Sequence, residues 1–150
     1  MRIVIQRVSS ADVSIDGVVY AFIGVGILIL LGIGTDDDIE DVDWLVNKLN
    51  SLRIFNDSEG KMNLSIHDVK GQFLVISQFT LLASTKKGNR PSYIKAARPE
   101  QAIPLYEYFI DTLANTSDTE VKTGIFGADM KVSLLNDGPV TIIIDSKQKE

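Results

Sequence analysis

Residues 132–145, "VSLLNDGPVTIIID", set a proline between two runs of Val, Leu and Ile. Branched apolar runs of this kind suit buried strands. Pro139 has no N–H to give a sheet ladder, and Gly138 beside it weakens a strand interior. A regular central strand is therefore a poor fit, and two readings follow. In one, Asn136-Asp137-Gly138-Pro139 is a turn between strands at about 129–135 and 140–145, because these residue types favour turns. In the other, the Gly-Pro main chain itself meets a ligand.

The rest of the chain is read by period. Residues 2–8 and 13–22 alternate like strands, with an Asp-Gly turn signal in "IDGV" (15–18), and 27–33 is a further strand. Thr35 is expected to open a helix with an acidic first turn, "DDDIED", and an inward face of Ile39, Val42, Leu45, Val46, Leu49 and Leu52. "NDSEGK" (56–61) reads as a turn, and "QFLVISQFTLLA" (72–83) as a buried strand. Pro99 marks the start of a second helix facing inward through Ala102, Leu105, Phe109 and Leu113, followed by a strand at about 120–126. Many hairpin-linked strands with only two good helices predict a mixed α/β fold, largely antiparallel. A curved or barrel-like sheet with both helices packed on it is expected, as one domain over residues 1–150.

The residue inventory excludes much chemistry. The chain has no cysteine, which removes disulfides and thiolate metal sites, and suits a reducing cytoplasm. His67 is the only histidine and sits in a polar stretch, so no His-rich metal site is expected; it reads as a surface residue. Neither G-x-G-x-x-G nor G-x-x-x-x-G-K-[ST] occurs, so no cofactor is expected. The acidic run 36–43 reads as a helix start with a solvated face, and the sequence reveals no carboxylate pair for glycoside hydrolysis. The longest apolar run, 21–34, is too short and glycine-punctuated to span a membrane, which takes ~20 residues. The first residues carry no signal-peptide core.

A net charge of −5 argues against wrapping duplex DNA, and no DNA partner is expected. Yet Lys86, Lys87, Arg90, Lys95 and Arg98 fall between Ala83 and Pro99 without one carboxylate. That stretch is either a solvated loop or a small phosphate-contacting patch. "SQFTL" (77–81) raises a similar choice. Extended, it turns Gln78 and Thr80 to one face and Ser77, Phe79 and Leu81 to the other. Its hydroxyls either bond the local backbone or carry chemistry, but Thr80 has no base near it in sequence.

Taken together, "SQFTL" and "NDGPVTI" (136–142) resemble the paired signature motifs of D-aminoacyl-tRNA deacylases. "IQRV", "GILILLGI", "RIFNDSEGKMNLS" (53–65), "KKGNRPSY" (86–93) and "FGADMKVSLLNDGPVT" (126–141) extend the likeness in order, leaving only the tail "SKQKE" outside it. The resemblance implies a homodimer of barrel-like, deacylase-type subunits acting on a D-amino acid, or glycine, esterified to the terminal adenosine of tRNA. It implies a catalytic segment of Ser77, Gln78, Phe79 and Thr80, and a cis Gly138-Pro139 bond entering the neighbouring subunit's site, framed by Asn136 and Thr141. Arg7 would hold the Gly-Pro element in place. Lys86, Lys87 and Arg90 are the candidates for contacting the tRNA end. The alternative is a dimeric nucleic-acid-binding module without catalysis.

Overall fold

The computed structural model describes residues 1–149. A long first strand, β1 (Arg2–Ile15), is the spine of the fold. It turns at Asp16 and Gly17 into β2 (Val18–Ile23), followed by β3 (Gly26–Gly32). Both turn residues have positive φ, +51° and +78°, the geometry of a tight hairpin whose twist matches its strands. Helix α1 (Ile39–Ser51), a small hairpin of β4 (Phe55–Asn56) and β5 (Met62–Leu64), and β6 (Gln72–Ser77) come next. Helix α2 (Pro99–Thr116), β7 (Val121–Thr123) and β8 (Met130–Asp145) complete the order.

The sheet is mixed. β1 pairs antiparallel with β8 along one side, and with β3 and then β2 along the other. β6 lies parallel to β3, and β7 parallel to β6, each reached by a crossover carrying one helix. β2 curls back toward β6 and β7, so the sheet nearly closes into a barrel. Ile27, Ile29 and Leu31 of β3 face the helices, while Leu28 faces a second apolar cluster with Val8, Val13, Ile23 and Leu74. Burial on both faces explains the unbroken apolar run of β3. Val42, Leu45, Val46 and Leu49 of α1 meet Phe109 and Leu113 of α2 over the main core. No helix among the described residues is long and apolar enough to cross a membrane.

Three local readings of the sequence change. Helix α1 starts at Ile39, not Thr35. Asp37 is buried, accepting from the Gly34 N–H at 2.6 Å and from the Met1 amine, so the cap falls to Asp38 in a capping box with Asp41. Ile39 is consequently exposed. The strand expected at 72–83 stops at Ser77 and passes into a single 3-10 turn, Phe79–Leu82. Gly32 makes room for that turn: a Cβ there would lie 2.6 Å from the Leu82 side chain and 3.0 Å from the Gln78 carbonyl. The tail is tied down as well, with Ser146 N–H on the Met1 carbonyl at 2.8 Å and Lys147 on Asp41 at 2.7 Å.

The third change concerns 136–139. These residues do not turn between two strands; they lie inside the single strand β8. Both flanking runs pair with β1 in one continuous direction, Thr141–Asp145 with Gln6–Arg2, and Leu135–Met130 with Ser10–Ile15. Between the pairs Gln6–Thr141 and Val8–Asn136, residues 137–140 stand against Arg7 alone. The segment is a large bulge, the form in which a strand accommodates proline and glycine.

Candidate active site

The bulge is built around Arg7. Its side chain is buried at the centre of β1, and its Nε and Nη1 donate to three acceptors. Nε donates to the Asp137 carbonyl at 2.9 Å; Nη1 donates to the Ile54 carbonyl at 2.7 Å and to Asn56 Oδ1 at 3.1 Å. The exposed Asp137 carboxylate adds an ion pair at 3.2 Å. One guanidinium thus joins the bulge to the β4 strand, a use of its rigid fork that lysine does not match.

Asn136 closes the bulge from the other side. Its Oδ1 accepts from the Val140 N–H at 3.0 Å, and its amide donates to Thr141 Oγ1 at 3.0 Å. Gln6 donates to the same hydroxyl at 3.2 Å. Gly138 has φ +132°, and a Cβ there would stand 2.8 Å from Val140 Cγ2 and 2.9 Å from Arg7 Nη2. Only glycine fits. The Gly138-Pro139 bond is cis, and both residues are exposed.

At the end of β6, Gln78 N–H still bonds the Leu31 carbonyl at 2.7 Å, and the chain then winds into the 3-10 turn. Leu81 N–H reaches the Gln78 carbonyl, whereas the N–H groups of Phe79 and Thr80 find no acceptor among the described residues. This is the usual state of the first residues of a helical turn. Thr80 Oγ1 accepts from the Gln78 side-chain amide, so those two side chains are brought together, though on a turn and not on one strand face. No carboxylate or imidazole joins them among the described residues. Ser77, Gln78 and Phe79 line a cavity of about 320 Å³ with Ile76, Phe126 and Met130.

That cavity includes none of Asn136, Gly138, Pro139 or Thr141. Each signature segment is well organised by itself; a second cavity brings Thr80 and Leu81 to Ile142 and Ile143, and Gly138 and Pro139 line neither cavity. Lys86, Lys87 and Arg90 are exposed in a loop closed by the Ser84–Ser92 bridge, with no ion pair among the described residues. His67 is half-buried, at the far end of β6 from Ser77, beside Gly71 and Gln72. Sequence reasoning missed Gln6 and Asn56. The signal for Gln6 was its place beside Arg7 in an alternating strand; Asn56 comes from a hairpin distant in sequence, so only the fold reveals it.

The D-Tyr-tRNA(Tyr) deacylase family profile matches residues 4–145. Two relatives named D-aminoacyl-tRNA deacylase match over all of both chains: one from Flavobacterium psychrophilum at 61% identity and one from Bacteroides fragilis at 63%. A solved structure titled c-Myc DNA Unwinding Element Binding Protein superposes with a TM-score of 0.91 at 40% identity, covering 97% of this chain and 98% of the other. A probable eukaryotic D-amino acid tRNA deacylase shares the fold, with a TM-score of 0.78 at 18% identity over 95% and 97% of the two chains. The class so defined is a deacylase, a hydrolytic enzyme. The chain belongs to the D-Tyr-tRNA(Tyr) deacylase family.

Proposed function

We propose that this protein hydrolyses the ester joining a D-amino acid, or misplaced glycine, to the terminal adenosine of tRNA. It does so in the cytoplasm as a homodimer, with no metal or cofactor. The observation that carries this reading is the 137–140 bulge, fixed by buried Arg7 yet exposed and absent from its own chain's cavity. A rigid, outward-facing element of this kind suits a site completed by a second subunit. β8 pairs only with β1 among the described residues, and its exposed Leu134, Leu135 and Ile143, with Val19, Tyr20 and Phe22 of β2, supply apolar surface for such pairing.

In the assembled site, the carbonyls of Gly138 and Pro139 accept hydrogen bonds from the substrate's α-ammonium group, with Asn136 and Thr141 holding their frame. Once the ammonium and the ester carbonyl are both pinned, two directions are left for the side chain at the α-carbon. One is open; the other meets main chain. A D side chain fits, an L side chain collides, and glycine, having none, passes. Rejection by collision needs no pocket shaped to each amino acid.

The free N–H groups of Phe79 and Thr80 stabilise the oxyanion that forms as the ester is attacked, a contribution of about 3 kcal/mol for one well-placed donor. Ser77 and Gln78 position that turn. The nucleophile is water, with the ribose 2′-hydroxyl as the group able to assist it; Thr80 has no base beside it among the described residues. The cavity beside Phe79, about 320 Å³, has room for the adenine ring. Lys86, Lys87 and Arg90 meet phosphates near the tRNA end.

Mixing two damaged subunits tests the shared site. Phe79→Pro deletes one oxyanion donor at the first position of a helical turn, where proline fits. Gly138→Ala disrupts the bulge. Each variant alone should be nearly inactive on D-tyrosyl-tRNA. Co-refolded in equal amounts, they should regain about a quarter of wild-type activity, because half of the dimers carry one intact composite site. No recovery in mixed dimers would mean that each site is built within one chain. Binding of the tRNA without release of the amino acid by the wild type would instead favour the non-catalytic module.

A further inference from the structure

The rings of Phe79 and Tyr93 form an aromatic pair to which the proposed reaction gives no role, since only the Phe79 main-chain N–H takes part in it. Their ring centroids are 5.0 Å apart at 71°, an edge-to-face contact. Phe79 stays 56% exposed and Tyr93 39% exposed after this packing. Neither ring is core, and an edge-to-face pair leaves ring face free for a third partner. Tyr93 is also held in place by its neighbours. Ser92 exchanges two backbone hydrogen bonds with Ser84 at 2.8 and 2.9 Å, and the Lys95 carbonyl accepts from Thr35 N–H at 3.0 Å. The tyrosine therefore stands between two anchored points and not on a free loop tip.

Its position is the informative part. Phe79 borders the cavity assigned above to the terminal adenosine, and Tyr93 packs on Phe79 without lining that cavity itself. Tyr93 belongs to the stretch that holds Lys86, Lys87, Arg90, Lys95 and Arg98 without an intervening carboxylate. Aromatic faces beside a row of cations are what a single-stranded nucleic acid needs: bases stack on the rings while phosphates follow the charges. An acidic peptide or an anionic lipid would also meet the cations, but the partner proposed for the adjoining cavity is already a nucleic acid.

We propose that Tyr93, backed by Phe79, is a stacking platform for the unpaired ribonucleotides that precede the terminal adenosine of the substrate tRNA. This rests on the proposed deacylase activity and adds to it a binding contact beyond the reacting nucleotide. Recognition of this kind tolerates any base, since every base offers a π-face.

Two substrates separate the platform from the chemistry: D-tyrosyl-tRNA and D-tyrosyl-adenosine, which lacks the preceding nucleotides. The readout is the ratio of their KM values. Tyr93→Leu keeps an apolar side chain packed on Phe79 but has no ring, and it should shift that ratio against the tRNA by about 5- to 150-fold, the size of one lost stacked base. Tyr93→Phe should keep the wild-type ratio. The shift should persist at raised salt, unlike the contribution of the cations. An unchanged ratio in Tyr93→Leu, or an equal shift in Tyr93→Phe, would overturn the platform. Wild-type protein that cleaves neither ester would overturn the deacylase reading itself.

Discussion

Replacing Gly138 by alanine perturbs the bulge with a single methyl group. The residue has φ +132°, where an L side chain costs about 1–3 kcal/mol in backbone strain. The new Cβ would also lie 2.8 Å from Val140 Cγ2, 2.9 Å from Arg7 Nη2 and 3.1 Å from the Val140 nitrogen. Val140 Cγ2 ends a side chain that can rotate. Arg7 cannot withdraw without losing its bonds to Ile54, Asn56 and Asp137, and the Val140 nitrogen is main chain. Overpacking of this kind adds roughly 1–3 kcal/mol, for a total on the order of 2–6 kcal/mol. For a chain of this length, each kcal/mol corresponds to about 2–4 °C in melting temperature, so Gly138→Ala should melt about 4–24 °C below wild type. Gly60→Ala is the control: it has φ +78° but open space around the added methyl, so it should show the strain alone. The assays are calorimetry and release of D- and L-tyrosine from the two tyrosyl-tRNAs. Gly138→Ala should also lose activity on the D-ester and narrow its preference over the L-ester. A variant that melts with Gly60→Ala and keeps wild-type preference would refute the reasoning.

Three further outcomes are expected. Arg7→Met leaves the Ile54 carbonyl and Asn56 Oδ1 without a donor, which should cost about 2–4 kcal/mol by denaturant titration; Arg7→Lys should keep the charge yet still lose at least about tenfold in turnover, because one ammonium cannot span the acceptors that the fork reaches. Thr80→Ala should retain turnover within about tenfold of wild type, whereas a loss of about a thousandfold or more with a native melting curve would make Thr80 the nucleophile. Burial alone would raise the Asp41 pKa, but hydrogen bonds from Lys147, Ser146 and the Asp38 N–H outweigh it and lower the value from 3.8 to about 2. A lowered folded-state pKa stabilises the fold above the unfolded value and loses that support as the pH falls, so about 2 kcal/mol should disappear between roughly pH 4 and pH 2. Lys147→Met should flatten that acid limb in pH-dependent unfolding.

Elements with a strong period were legible in the sequence: the core strands of the first third, the inward face of α1 from Val42 to Leu49, and α2 beginning at Pro99. Events decided by contacts distant in sequence were not. The start of α1 moves because Asp37 is drawn to Gly34 and the Met1 amine. The 3-10 turn after Ser77 forms where Gly32 admits the Leu82 side chain. Asn136 to Pro139 carry turn residues, yet β1 runs past them and holds both flanks, so local preference yields to pairing. The candidate site divides in the same way. Its two motifs could be found by resemblance, and the importance of Arg7 with them. The brace from Asn56 and Ile54 depends on how a separate hairpin docks, which no local pattern encodes.

The most direct measurement compares hydrolysis of D-tyrosyl-tRNA, L-tyrosyl-tRNA and glycyl-tRNA by the purified wild-type protein under identical conditions. If the main chain around Gly138 and Pro139 rejects an L side chain by collision, the D-ester and the glycyl ester should both be cleaved and the L-ester spared. Equal cleavage of the two tyrosyl esters, or cleavage of the L-ester alone, would contradict it.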